Sequence, residues 1–382
     1  MGVRLADVLA IDAGRYLEGR RVSVAVSRAY RAIGRCRTAA LGGHVSRCEQ
    51  GHLVGVFYNT CRHRSCPRCG WGLGRRWLER RTLTLLGSGH HHVILTLPHV
   101  FNELWARNYK VFGSLLFRAA QAAITQLAAD RRYLGAQPGM VIALHTWGQQ
   151  LGLHVHLHCL VTAGGVDAAG EWVASRRKWF LPAEPLVRLF TGKVIYALRG
   201  VARSGELQLP DDWVVKDVER LCDRAKALRW NLQVRERYEN PTHVLNYLGR
   251  YLNGGPINES RLLSVSEDEV VFSYKDYRDT NPCGVAKRKL RTMGRAEFVG
   301  RLLQHVPPKS FHMVRGYGVY SGNVNEQLRQ KLREALPEST ELRIVLRPTE
   351  LRQADAEPQR CPTCGSALRL FFYGRAAPEL VA

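Results

Sequence analysis

The stretch Gly152-Leu153-His154-Val155-His156-Leu157-His158-Cys159-Leu160-Val161 alternates apolar residues with histidines. A period of two is that of a β-strand, so His154, His156 and His158 share one face while the apolar residues share the other. One such histidine is an ordinary core or surface residue. Three on one rigid strand offer neutral ring nitrogens at fixed separations, which suits a divalent cation. A second apolar run, residues 140–147, lies just upstream, and the two flank the short connection Gly148-Gln149-Gln150-Leu151-Gly152. That pattern predicts an antiparallel hairpin. Either His145 or Gln149 then becomes a candidate third ligand beside His156 and His158, although His145 could also face the opposite side.

The next constellation lies downstream, in Leu245-Asn246-Tyr247-Leu248-Gly249-Arg250-Tyr251-Leu252. It follows Pro241-Thr242 and stops at Gly254-Gly255-Pro256, which are helix boundary signals. Tyr247 and Tyr251, four apart, share one helical face. Taken alone, a tyrosine stripe is packing. Beside a histidine strand in a very basic chain, the pair reads as a nucleophile.

Charge supports that reading. The chain has 382 residues, with 56 Lys and Arg against 33 Asp and Glu, a net +23. Such a surplus points to a polyanionic partner, and nucleic acid fits better than a membrane because no amphipathic anchor or lipidation signal is present. There is no span-length apolar run and no signal-peptide core, so a cytoplasmic, nucleoid-associated protein is expected. In that compartment the 10 cysteines read as metal ligands or buried thiols and not as disulfides.

The cysteines are concentrated near the N-terminus: Cys36, His44, Cys48, His52, Cys61, His63, Cys66 and Cys69. Cys66-Pro67-Arg68-Cys69-Gly70 is a knuckle that aims two thiolates at one ion, Cys61 lies just before it, and Cys48 or His52 closes a structural Zn²⁺ site. Arg62, Arg64, Arg68, Arg75 and Arg76 surround the cluster together with Tyr58, Trp71 and Trp77. Arginine grips phosphate and aromatic faces stack on bases, so the module is expected to bind DNA. At the other end, Cys361-Pro362-Thr363-Cys364-Gly365 is half of a second knuckle, with no further ligand pair near it in sequence.

Between these motifs, residues 1 to about 45 read as basic helices and 90–97 as a strand ended by Pro98. An amphipathic helix is expected over 102–129. Residues 165–240 mix short strands with basic helices, including the run 176–179. Residues 270–277 alternate like a strand and carry Lys275, and 287–291 carries Arg288 in a strongly basic run. A helix over 297–305 precedes a segment, 309–318, that mixes cations with aromatics. Residues 346–360 are polar and read as a linker.

Together these pieces resemble the two-tyrosine rolling-circle transposases of the insertion-sequence ninety-one type, within the His-hydrophobic-His (HUH) single-strand endonucleases. The residues that carry the resemblance are Cys36 to His44, the Cys61 to Cys69 knuckle, Leu95 to His99, His145 to Gln149, His154 to Val161, Tyr247 to Tyr251, Tyr274 to Arg278 and Lys309 to Gly318. They run in family order over nearly the whole chain. One departure is the first half of the zinc cluster, Cys48-x-x-x-His52 in place of a Cys-x-x-Cys pair.

The resemblance implies an α+β fold whose central antiparallel sheet carries the His-x-His strand between flanking helices, with a small zinc-binding domain ahead of it. It implies domains at 1–86 (zinc and DNA recognition), 87–345 (catalysis) and 346–382 (linker and Cys tail). His156 and His158 would hold Mg²⁺ or Mn²⁺, His154 would flank them, and Tyr247 and Tyr251, helped by Arg250, would cleave single-stranded DNA at element ends and target. A replication initiator or relaxase would share those residues but needs its own origin and often a helicase domain. A non-enzymatic zinc-dependent regulator would explain the charge and cysteines but not the His and Tyr constellations.

Overall fold

The computed structural model describes residues 2–175, 181–238, 255–336 and 360–373, apart from the side chains of Trp71, Glu236 and Tyr373. The expected tyrosine helix with Tyr247, Arg250 and Tyr251, the basic run 176–179 and the polar linker up to residue 359 lie outside the described residues.

In chain order the elements begin with α1 (Leu5–Asp12), α2 (Val24–Gly34), β1 (Gly43–Cys48), β2 (Leu53–Tyr58) and α3 (Pro67–Thr82). Then come β3 (His90–Thr96), α4 (Asn102–Arg107), α5 (Tyr109–Ala129), β4 (Gln137–Trp147), β5 (Leu153–Val166) and β6 (Trp172–Ala174). These are followed by α6 (Ala183–Arg203), α7 (Val215–Ala227), β7 (Leu232–Tyr238), β8 (Leu262–Val265), β9 (Glu269–Thr280) and β10 (Ala286–Gly294). The last are α8 (Arg295–Leu303), β11 (Val314–Tyr317), α9 (Glu326–Ala335) and β12 (Leu368–Tyr373). Every strand pairing among them is antiparallel, and the fold is α+β.

The chain divides into two units: one from 1–73, 253–306 and 344–382, the other from 74–252 and 307–343. Sequence order suggests divisions near 86 and 345. The spatial division instead returns residues 253–306 to the N-terminal unit.

In the first unit, α1 and α2 pack through Leu5, Val8, Leu9, Ala29 and Ile33, all at most 2% exposed. Ser23 caps α2 by accepting from the Val26 amide. Asp12, buried, accepts the Tyr30 hydroxyl at 2.6 Å and faces Arg295 at 3.8 Å. This ties α1 to α2 and to the start of α8. Two three-stranded sheets complete the unit, ordered β12-β1-β2 and β10-β9-β8.

The second unit is built on one sheet with the order β11-β4-β5-β3-β7, and β6 pairs with β5. One face of that sheet packs against α5. Val93, Leu95, Leu144, Val155, Leu157 and Cys159 are at most 1% exposed, as are Phe112, Leu116 and Ala120 of α5. Burying each such aliphatic side chain is worth about 1.5–3 kcal/mol. Gly113 allows close approach: a Cβ there would lie 2.7 Å from Phe311 and 3.5 Å from Leu144. Leu144 therefore points at α5, and by alternation His145 points to the other face.

The helix expected over 102–129 is two helices. Asn108 breaks it, with φ −125° and ψ 32°, and its amide donates to the Leu104 and Gln208 carbonyls while its oxygen accepts the Gln208 amide. Within 309–318, Phe311 and Arg315 serve packing: Phe311 is buried, and the Arg315 guanidinium sits 4.4 Å over the Phe117 ring and bonds Ser114, while Lys309 and His312 are exposed.

Candidate metal centres

The sheet face away from α5 carries the histidines. In the β4-β5 hairpin, His145 lies directly opposite His156 and Ala143 opposite His158, so all three imidazoles stand on one face. Ring centroids are 5.3 Å apart for His145 and His156, 4.4 Å for His145 and His158, and 4.8 Å for His156 and His158. One ligand atom from each ring lies within 4.8 Å of the others. Of the third-ligand candidates, His145 is the one placed in this group.

Burial keeps these rings neutral. Desolvation pushes the His156 imidazole down to about 4 and holds His145 and His158 well below the usual histidine range, with the neighbouring imidazoles adding to the shift. Neutral imidazole is the form that binds metal. The tautomers fit as well. The Nδ1 of His156 donates to the His154 carbonyl at 2.7 Å, which leaves the lone pair on Nε2.

His92 on β3 is a residue that sequence reasoning missed. Its Nε2 lies 2.8 Å from Nδ1 of His158, and burial lowers it to about 4. A proton on Nδ1 of His158, donated to His92, directs the Nε2 lone pair to the far side of the ring, as an orienting partner of a metal ligand does. The signal was present in the run His90-His91-His92, one strand away. His154 stands apart from the ligand group, with Nδ1 3.1 Å from Nε2 of His99. Gln149 lies in the turn between β4 and β5.

The thiols form two groups, and they differ from the expected set. Cys36, Cys61, Cys66 and Cys69 make the first, with Sγ distances of 3.6 Å from Cys69 to Cys36, 3.6 Å from Cys69 to Cys61 and 3.7 Å from Cys66 to Cys36. A tetrahedron with Zn–S bonds of about 2.3 Å has edges of about 3.8 Å. The set fits zinc.

The expected fourth ligand, Cys48, is corrected to Cys36, and His52 also lies elsewhere. The reason is the length of β1. Its Gly43 end pairs with Tyr58, and the Arg37 amide donates to the Asn59 carbonyl, so Cys36 is pinned where the chain turns toward Cys61. Cys48 sits at the opposite end of the strand, about 16 Å away. There, Cys48 and His52 meet Cys361 and Cys364.

The expected DNA-binding cations are distributed as follows. Arg62, Arg68 and Arg76 are exposed, while Arg64 and Arg75 are half-buried. Arg68 is paired with Glu259 and Arg75 with Glu79. On the sheet of the first unit, Arg288 of β10 lies directly opposite Lys275 of β9, and both are exposed. Like charges in that position repel unless an anion lies across them.

Two family models match the chain. Residues 9–97 match the transposase zinc-binding domain, and residues 139–328 match the family described as "Putative transposase". The sequence is 34% identical to "Putative transposase y4qJ" of Sinorhizobium fredii, over 95% of this chain and 93% of that protein. The chain belongs to the insertion-sequence ninety-one transposase family. A second relative of this transposase, "Transposase for insertion sequence element IS801" of Pseudomonas savastanoi pv. phaseolicola, is 30% identical over 87% of this chain and 80% of its own length. Among solved structures, the conjugative relaxase TrwC in complex with OriT DNA aligns at a TM-score of 0.24 and 10% identity, covering 68% of this chain and 94% of that one, a likeness too slight to carry an inference.

The transposase acts on DNA as an enzyme, and its zinc-binding match encloses the whole Cys36 group. Its second match encloses His145, His156 and His158. Cys361 and Cys364 lie outside both. No helix among the described residues is long and apolar enough to cross a membrane.

Proposed function

We propose that this transposase moves DNA by a rolling-circle route, cutting and rejoining a single strand through a 5′-phosphotyrosine made by Tyr247 or Tyr251. The observation that supports this reading most is the imidazole group on the sheet face away from α5: His145 and His158, buried, and His156, half-buried, all neutral and with ligand atoms within 4.8 Å. Those residues would hold Mg²⁺ or Mn²⁺, and three nitrogen donors suit Mn²⁺ better than the oxygen-preferring Mg²⁺. Bound there, the ion would supply Lewis-acid polarisation and orientation of the scissile phosphate.

The chain's own residues do the rest. A tyrosine phenol is protonated near pH 7, and the Arg250 cation favours its phenolate. The phenolate oxygen bonds to phosphorus as the bond to the 3′ oxygen breaks, and the leaving oxygen takes up a proton to become a 3′-OH. The bond energy stays in the tyrosyl ester, so another 3′-OH reseals it without ATP. A second tyrosine allows a second transfer while the first link persists. His154, His99 and the exposed cations Arg62, Arg76, Lys275 and Arg288 are read as strand contacts.

The test is incubation with a single-stranded element-end oligonucleotide and Mn²⁺, followed by boiling in detergent and peptide mapping. A covalent adduct on Tyr247 or Tyr251 is expected. Tyr247→Phe and Tyr251→Phe should each abolish transposition, with at least one retaining single-strand cleavage. Wild-type transposition by both variants would refute the role.

A further inference from the structure

The C-terminal Cys-Pro-Thr-Cys knuckle has no partner pair near it in sequence, yet in space it has one. Cys48 Sγ lies 3.6 Å from Cys364 Sγ and 3.4 Å from His52 Nδ1, and Cys361 Sγ lies 3.8 Å from the same nitrogen. In a tetrahedral zinc site with bonds of about 2.3 Å to sulfur and 2.0–2.1 Å to nitrogen, the S–S and S–N edges are about 3.8 and 3.6 Å. A disulfide would bring the sulfurs to about 2.05 Å, so the thiols converge on a common centre and not on one another.

We propose that Cys48, His52, Cys361 and Cys364 form a second zinc site, separate from the Cys36 group, that fastens the C-terminal strand to the N-terminal sheet.

The backbone on both sides is shaped for it. Cys48 opens a tight turn in which the Gly51 amide donates to the Cys48 carbonyl and Gly51 takes φ +84°. Cys361 opens another, in which the Gly365 amide donates to the Cys361 carbonyl and Gly365 takes φ +72°. Both left-handed positions favour glycine. Strand β12 then runs antiparallel to β1 from Leu368 opposite Cys48 to Tyr373 opposite Gly43, which sets the two knuckles at the same end of the sheet. Cys48 and Cys361 are 4% and 2% exposed, as closed structural ligands are.

The energetics call for such a clasp. Leu370, Phe371 and Phe372 of β12 are 54%, 51% and 77% exposed, so hydrophobic burial does little to hold the strand. A structural zinc supplies folding free energy directly where a small sheet cannot.

The full-length protein, grown with zinc and dialysed, is assayed for bound metal by mass spectrometry, and then reconstituted with Co²⁺ for absorption spectra. The Cys361→Ser/Cys364→Ser double variant should hold one zinc fewer than wild type and lose part of the thiolate-to-cobalt charge-transfer band. The imidazole group contributes no thiolate band, so it cannot mimic that loss. His52→Cys keeps four donors and tests the site even if the double variant folds poorly: it should keep the wild-type metal count with a stronger thiolate band and shifted visible bands. Equal metal content in wild type and the double variant, or a His52→Cys cobalt spectrum identical to wild type, would overturn the proposal.

Discussion

Burial keeps His92, His145, His156 and His158 neutral, and the same effect reaches beyond metal binding. His90 is fully buried, with Nε2 accepting the Tyr320 hydroxyl at 2.8 Å, and desolvation lowers it to about 3. In the unfolded chain it titrates near 6.5. Its folded value is depressed, so the unfolded state binds the proton first. The stability it contributes is present above about pH 6.5 and is lost as pH falls toward about 3, at up to about 1.4 kcal/mol per pH unit. Between pH 7 and 5.5, urea unfolding should therefore show wild type losing about 1 kcal/mol more than His90→Gln. Equal losses would contradict the assignment. The ligand residues themselves were only partly legible in the sequence. Alternation put His156 and His158 on one face, but the side taken by His145 depends on the hairpin register, which shifts between His145 and Trp147. Proximity in sequence favoured Cys48 over Cys36, whereas a six-residue strand carries Cys48 away and a backbone hydrogen bond from Arg37 to Asn59 holds Cys36 in place.

At the level of elements, periodicity located the hairpin, the strand over β9 and the helix at α8, because each buries one face against a sheet or a helix. It ran across the break between α4 and α5, since the apolar pattern continues through residue 108. What interrupts the helix is a tertiary bond: the Asn108 side chain closes on both backbone groups of Gln208, at 2.8 Å each. Asn108→Ala would leave those groups without their partner in a part-buried place. It should cost about 1–3 kcal/mol in chemical denaturation, through the loss of the α4-α5 corner. A change below measurement error would mean that the corner is fixed by packing alone.

Across the whole molecule, the N-terminal unit is assembled from three stretches of chain, and one of its Cys/His groups draws residues from both ends of the sequence. No local pattern reports that. The basic surplus, in contrast, was evident from composition, and its effect is measurable. For single-stranded DNA the logarithm of affinity falls with the logarithm of salt by about 0.7 per phosphate contact. If Arg288 and Lys275, exposed and directly opposite one another, hold two phosphates, the Lys275→Ala/Arg288→Ala variant should flatten that slope by about 1.4. An unchanged slope would remove this pair from the DNA path.

The central claim is that His145, His156 and His158 hold the ion used for strand cleavage. Cleavage of a single-stranded oligonucleotide is titrated with Mn²⁺ for wild type and His145→Ala at matched protein concentration. Wild type should require the metal, and the variant should need about 10-fold or more Mn²⁺ for half-maximal cleavage, with activity recovering toward wild type as the metal is raised. Cleavage that proceeds without metal, or a variant whose titration overlays that of wild type, would contradict the account.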